Sequence, residues 1–401
     1  MRFVPRQAAD ALLRLLRSFP AVLVLGPRQC GKSTLVRHAL PKFEHVDLER
    51  PADWALLSGD LEGFLASRPR GVAIDEAQRL PGIFPALRHF VDRTKGKGRY
   101  VLTGSASPPL LETASETLAG RIGLLELGPF SSAELDRSPR AKDRWFWGGY
   151  PPVLAASTTR QRLEWLSSYV ATYLERDLPS LGLRLPAPRL RILWTMLTHV
   201  HGSLLNVSDL ARSLSVSSPT VDHYLGVLEW TFMIRRLTPY FANVQKRLTK
   251  SPKVYVRDTG LLHHLAGLRS EAELEAWPKR GASFEGLVIE EIAQLAAERT
   301  VRPELHFWRT QAGAEVDLLV VDGRHVVPIE IKLGATVDPR GLAGLRQCMV
   351  DLSIERGWVV YTGKERREVG RGITMVPWAD VVARRETFGL GGRSRPRRTE
   401  S

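Results

Sequence analysis

The chain has 401 residues, of which 43% are hydrophobic and 25% charged; this supplies cores for two or three globular domains and excludes a disordered or fibrous chain. Its longest apolar runs, such as Ala21–Leu25 and Val316–Val321, fall far below the ~20 residues of a membrane helix, and the charged amino terminus lacks the apolar core of a secretory signal, so a cytoplasmic protein without membrane contact is expected. Two cysteines, Cys30 and Cys348, exclude a disulfide framework and a multi-cysteine zinc site, and a formal charge of +14 favours a polyanion, DNA, as partner.

A genome that prefers arginine gives the same excess, and part of the charge sits in a tail, Arg393–Arg398. In chain order, short apolar strands are expected at Ala21–Leu25, His45–Leu48, Gly71–Ile74, Arg99–Leu102 and Ile122–Leu127, with helix-compatible stretches between them. That alternation is the pattern of a parallel α/β sheet, spanning residues 1–129. Residues 130–187 turn helical, with an aromatic patch from Trp145 to Pro152, and read as a small lid. Residues 188–278 open with a helix from roughly Leu190 to Val200 and suggest a winged helix-turn-helix. Residues 279–383 read as a separate α/β domain, with a helix from near Ser283 and strands at Glu304–Trp308, Glu315–Val321 and His325–Ile331; residues 384–401 form a basic tail expected to be disordered.

The first strand runs directly into Gly26-Pro-Arg-Gln-Cys-Gly-Lys-Ser-Thr34, which fits G-x-x-x-x-G-K-[ST], and Leu35–Leu40 behind it is helix-compatible. Gly26, Pro27, Arg28, Gln29, Cys30, Gly31, Lys32, Ser33 and Thr34 are the expected ATP-binding residues. Gly26 and Gly31 let the backbone amides curve around a β-phosphate, Lys32 reaches the β/γ oxygens, and Ser33 ligates Mg2+. Cys30 is a passive loop residue or a source of thiol sensitivity. The third strand, Val72-Ala-Ile-Asp75-Glu76, ends in paired acids: Asp75 holds Mg2+ directly or through water, and Glu76 polarises the attacking water. The fourth ends in Leu102-Thr-Gly-Ser-Ala106, where Thr103 or Ser105 is positioned for the γ-phosphate or the lytic water. Arg121, just before the fifth strand, either acts on the γ-phosphate of a neighbouring subunit or pairs with an acid.

Gly26–Thr34, Ile74-Asp-Glu-Ala-Gln78, Leu102–Ala106, Leu118-Ala-Gly-Arg121 and Gly148-Gly-Tyr-Pro151 together resemble the prokaryotic AAA-superfamily ATPases that carry a carboxy-terminal domain of unknown function, DUF4143. The resemblance covers nearly the whole chain. It implies an AAA-type core, a helical lid, a winged-helix segment, a restriction-endonuclease-like terminal domain, and assembly as a homo-oligomer, a hexamer or other ring.

Within the third segment, Val207–Ser215 carries Leu210, Ala211 and Leu214 on one face, with Ser208 as its expected cap, and Pro219 suits the first turn of a second helix. That helix brings Ser218, Thr220 and His223 toward base edges, and Gln245–Lys250 forms a basic wing; a second helix poor in Lys and Arg fits a protein-docking module equally. In the terminal segment, Asp317 lies on one strand and Glu330-x-Lys332 on the next, with Glu330 and Lys332 on one face. Asp317 and Glu330 then ligate Mg2+ while Lys332 orients a water toward a phosphodiester, a pattern similar to the PD-(D/E)xK nucleases. Glu285 completes the set in preference to Glu290, which lies about 140° further round the helix.

The expected function is an ATP-driven motor or switch acting on DNA, using ATP and Mg2+, with a terminal domain that cuts or grips the nucleic acid. Two alternatives stand beside it: a signalling or defence-type ATPase switch that docks protein partners, and an ATP-gated, structure-specific nuclease.

Overall fold

The computed structural model describes residues 3–68, 70–80, 82–94, 96–105, 117–180, 186–240, 251–301, 303–370 and 372–391. They fall into two compact units: Met1–Phe130 with Gly149–Leu185 and Pro219–Ile234, and Ser131–Gly148 with Pro186–Ser218 and Arg235–Ser401. The expected wing Gln245–Lys250 and the tail Arg393–Arg398 lie outside the described residues.

In the first unit, β1 (Ala21–Gly26), β2 (Glu44–Asp47), β3 (Val72–Asp75), β4 (Tyr100–Ser105) and β5 (Ile122–Glu126) form one sheet in the order β2-β3-β4-β1-β5. Every pairing is parallel. All six residues of β1 are buried, as a central strand covered on both faces must be. Period two divides them between two cores: Ala21, Leu23 and Leu25 join Leu57, Phe64, Phe84 and Leu87, while Val22 and Val24 join Leu12, Leu16, Leu35 and Val36. The expected parallel α/β sheet is thus present, and its carboxyl edge carries the glycine-rich loop and the paired acids.

The aromatic patch of the expected lid is shared out between the units. Tyr150 packs on Trp165 and Tyr169 in the first, whereas Trp145 packs on Phe284, and Phe146 on His263, in the second. The helices expected for the helix-turn-helix, Val207–Leu214 and Ser218–Trp230, both form. The division between units falls between Ser218 and Pro219. The cap of the first is Asn206 rather than Ser208: its side chain accepts the amides of Ser208 and Asp209 at 3.1 and 3.2 Å, satisfying two otherwise orphaned donors.

The second unit is built on a mixed sheet of β6 (Ser203–Leu204), β7 (Ile234–Pro239), β8 (Lys253–Val256), β9 (Glu304–Arg309), β10 (Glu315–Asp322), β11 (His325–Lys332), β12 (Gly357–Tyr361), β13 (Arg367–Glu368) and β14 (Ile373–Pro377). Its order is β13-β14-β12-β11-β10-β9-β7-β8-β6. The segments on either side of residue 278 contribute strands to this one sheet, and Pro278–Gly281 leads into a long helix, Arg280–Arg299. That helix buries Phe284, Leu287, Val288 and Ile292 on one face of the sheet; Leu345, Cys348 and Met349 of the helix Ala343–Asp351 pack on the other. Among the described residues no helix is long and apolar enough to cross a membrane.

Two buried histidines hold this unit together as neutral rings. His201 Nδ1 accepts the Val256 amide at 3.0 Å while Nε2 faces Ala282 O at 3.1 Å. His263 Nδ1 faces Phe146 O at 2.8 Å, and Nε2 faces Ser283 Oγ at 2.7 Å. Burial lowers their pKa values from 6.5 to about 3 and about 4 respectively. Since the unfolded chain takes up these protons first, the stability they contribute is complete above about pH 6.5 and falls by about 1.4 kcal/mol per unit for each ring as pH drops toward the folded values. Chemical denaturation of this unit between pH 7 and pH 5 should show that loss, and His263→Gln should make the dependence shallower; an unchanged slope would rule His263 out as its source.

Candidate functional site

The loop between β1 and the helix Lys32–Ala39 turns on two residues with left-handed backbone, Gln29 at φ 59° and Gly31 at φ 101°. Gly31 is present for that conformation, since a Cβ there meets only Arg6 at 3.6 Å. Gly26 has a different reason: a Cβ would stand 2.1 Å from the carbonyl oxygen of Leu127, just beyond β5. The two glycines expected to serve the phosphate together are therefore selected separately, one by chain direction and one by close approach. Arg6 fastens the loop from below, donating to Cys30 O at 2.9 Å and Gly128 O at 2.7 Å. Cys30 is fully buried, its thiol facing Leu127 O at 3.3 Å, which is the position of a packing residue.

The functional side chains converge above the loop. Lys32 is buried, and its ammonium donates to the carbonyls of Gly26 and Pro27, both at 3.0 Å, so the cation is held inside the loop. Ser33 Oγ donates to one oxygen of Asp75, and Thr103 Oγ1 donates to the other. Glu76 has left-handed backbone, φ 54°, an unfavourable conformation for a non-glycine residue of the kind that collects at functional sites. Burial raises the pKa of its carboxyl group, the charge of Asp75 adding to this while Lys32, Gln78 and Arg28 oppose it. Arg28 reaches Asp177 at 2.5 Å and Glu49 at 3.4 Å.

A cavity of about 680 Å³ is lined by Arg28, Gly31, Lys32, Ser33, Thr34, Glu49 and Glu76, among others; its size is that of a small-molecule site. Ser33 and Asp75 offer hard oxygen donors suited to Mg2+. Arg121 stands outside this lining and pairs with Asp92 at 2.6 and 3.1 Å. Ser105 ends β4, with its side chain outside the described residues. Asp177 and Glu49 were not among the residues anticipated from sequence. Asp177 lies 149 residues from Arg28, and no local pattern joins them.

The second expected cluster also assembles, around a residue that motif reading passed over. β10 carries a register shift between Val316 and Leu319, the stretch that contains Asp317. Lys253 Nζ lies 3.2 Å from Glu285 and 3.8 Å from Asp317 and pairs with Glu315; Tyr255 donates to Glu285. Asp317 Oδ2 accepts the Ile331 amide at 2.8 Å, and Lys332 pairs with Glu330 at 2.5 Å. Burial, then the charge of Asp317, raises the pKa values of Glu285 and Glu330. Burial also disfavours the charge of Glu290, but Arg235 and Arg257 outweigh it and hold its pKa at about 2, so Glu290 is an ion-pair partner outside the cluster. Among the described residues no three His, Cys, Asp or Glu side chains are disposed to hold a metal ion. The available signal was Lys253 itself, a charge opening the otherwise apolar Val254-Tyr255-Val256.

The glycine geometry is testable without nucleotide. Gly26→Ala should cost about 2 kcal/mol or more through overpacking against backbone, and Gly31→Ala about 1–2 kcal/mol through its φ alone. Equal losses in thermal denaturation would mean that close approach to Leu127 is not what selects Gly26.

Residues 18–135 match an AAA domain family (AAA_14), residues 138–272 a domain of unknown function (DUF8612) and residues 280–381 a domain of unknown function (DUF4143). The chain is 42% identical over 382 residues to the uncharacterized protein Rv2008c of Mycobacterium tuberculosis, and likewise to Mb2031c of Mycobacterium bovis, covering 94% of this chain and 84% of each relative. Among solved structures, the Walker-type ATPase paby2304 of Pyrococcus abyssi superimposes with TM-score 0.46 at 18% identity over 65% of this chain and 95% of that one. The chain belongs to one family with these mycobacterial proteins, and it is an ATPase of the AAA, P-loop type with a DUF4143 domain toward its carboxy end.

Proposed function

We propose that this ATPase is a motor or switch acting on DNA, its terminal domain contacting the nucleic acid. The observation that carries the ATPase half is the convergence of Lys32, Ser33 and Glu76 on one cavity, with Ser33 bonded to Asp75. Lys32, held by two carbonyls, presents its charge to the β/γ-phosphates of ATP, and the amides of the loop and helix start meet the same oxygens. Glu76 takes the proton of the attacking water, and the burial that raises its pKa makes it a better acceptor. Magnesium, when bound, neutralises phosphate charge, and Ser33 and Asp75 would hold it. Pro27, Gln29, Cys30 and Thr34 shape the loop, and Ser105 is assigned to the γ-phosphate side.

The DNA half is supported by the net charge of +14, which makes counterion release a source of affinity. Glu285, Asp317, Glu330 and Lys332 are its nuclease-like centre. A homo-oligomer belongs to the same proposal: Arg121 lies outside its own chain's cavity and is one-third exposed, so it is available to a neighbouring copy. The protein-docking switch is favoured by a different observation, that the helix Ser218–Trp230 carries no Lys or Arg for phosphates.

ATP turnover with Mg2+, measured alone and with duplex, single-stranded and branched DNA, separates the two readings. DNA should stimulate turnover several-fold in the intact protein, and Glu76→Gln should lower it by about 10²–10⁴-fold. Turnover indifferent to every DNA would sink the DNA reading and leave the protein-docking switch.

A further inference from the structure

Three carboxylates of the terminal cluster, Glu285, Glu315 and Asp317, are arranged around an ammonium. A divalent ion serving a phosphodiester needs carboxylate oxygens turned to one point at about 2.0–2.6 Å. Here those oxygens face Lys253, which is only 3% exposed and lies on a strand whose four residues are all buried. Glu285 Oε1 takes both the ammonium, at 3.2 Å, and the Tyr255 hydroxyl. Glu315 divides its oxygens between Lys253 and Arg309 Nη1, the latter at 2.8 Å. Asp317 turns one oxygen to Lys253 at 3.8 Å and spends the other on the Ile331 amide. Glu330 pairs through Oε1 with Lys332, and its buried Oε2 has no hydrogen-bond partner among the described residues. A metal entering this cluster would meet a like charge already in place. Expelling Lys253 from its carboxylates would leave a buried, uncompensated ammonium, which is among the costliest states a protein interior can hold.

We propose that Lys253 is a built-in counter-ion occupying the place of a divalent cation, so that the terminal domain engages its partner without a metal and does not cleave phosphodiesters. The inference deepens the DNA-directed reading by assigning the terminal domain to binding, yet the cation claim can be tested apart from it. Mn2+ is titrated against the full chain without nucleotide, free Mn2+ being counted by electron paramagnetic resonance, for the intact protein, Asp317→Asn, Lys253→Ala and the double variant Lys253→Ala/Glu285→Gln. The intact protein and Asp317→Asn should give superimposable curves, any ion at the P-loop being common to both. Lys253→Ala should take up one further Mn2+ per chain, lost again in the double variant. Mn2+ uptake by the intact protein that Asp317→Asn removes would overturn the proposal, as would a folded Lys253→Ala that gains no ion. Should Lys253→Ala fail to fold, the comparison of intact protein with Asp317→Asn decides alone. Mg2+- or Mn2+-dependent cleavage of plasmid DNA that Asp317→Asn abolishes would equally overturn it. DNA-stimulated ATP turnover bears on the proposed function and on neither of these readouts.

Discussion

Asp75 is the residue through which the catalytic edge of the first unit becomes a single object. Its strand, β3, does not touch β1; β4 lies between them in the sheet. The carboxylate closes that gap by accepting Ser33, at the start of the loop helix, with one oxygen and Thr103, on the intervening strand, with the other. Charge-assisted hydrogen bonds of this kind are stronger than neutral ones and directional. They set where Ser33 points and, through the next peptide unit, where Glu76 begins: the Glu76 amide donates to Asp75 at 3.1 Å. The left-handed backbone at Glu76 is held by this arrangement, with the base aimed over the loop instead of along the strand.

How much of this was legible in the sequence depends on range. The five strands, the loop and the paired acids are local patterns, and each forms where apolar runs and glycine spacing put it, to within three residues. Glu330 and Lys332 share a face because strands have period two, and they pair in the fold. What local pattern could not carry is long-range partnership. Thr103 or Ser105 is expected at the γ-phosphate or the lytic water, and the Thr103 hydroxyl is bonded to Asp75; Arg28 is expected among the ATP-binding residues, and its partner Asp177 lies 149 residues away. At Pro278 a proline and a glycine around two charges mark where the chain enters the long helix, while the strands before and after it share one sheet, a pairing that no local signal carries.

The second unit shows why a motif does not fix its chemistry. Asp317, Glu330 and Lys332 sit at the spacing of a metal-dependent nuclease, and a register shift interrupts β10 around Asp317. The character of the cluster is nonetheless set by a fourth element, β8, lying 60 to 80 residues away in sequence and contributing Lys253 and Tyr255. Four carboxylates close together repel, and burial raises the pKa values of Glu285 and Glu330. Lys253 relieves that repulsion from within the protein. Glu290, on the same helix as Glu285, resolves the same difficulty with Arg235 and Arg257 and so belongs to the scaffold.

Arg28 links the nucleotide cavity to the rest of the first unit. Its guanidinium lines the cavity and is shared between Glu49 and Asp177. Asp177 closes the segment Tyr173–Asp177, where the chain is wound as a π-helix, a less stable winding that is retained mostly at functional positions. Tyr173, at the other end of that segment, is bonded to Thr231 at 2.5 Å, just beyond the helix Ser218–Trp230. Arg28 thus joins the cavity to the helical part of this unit through a single guanidinium, shared between Glu49 and Asp177.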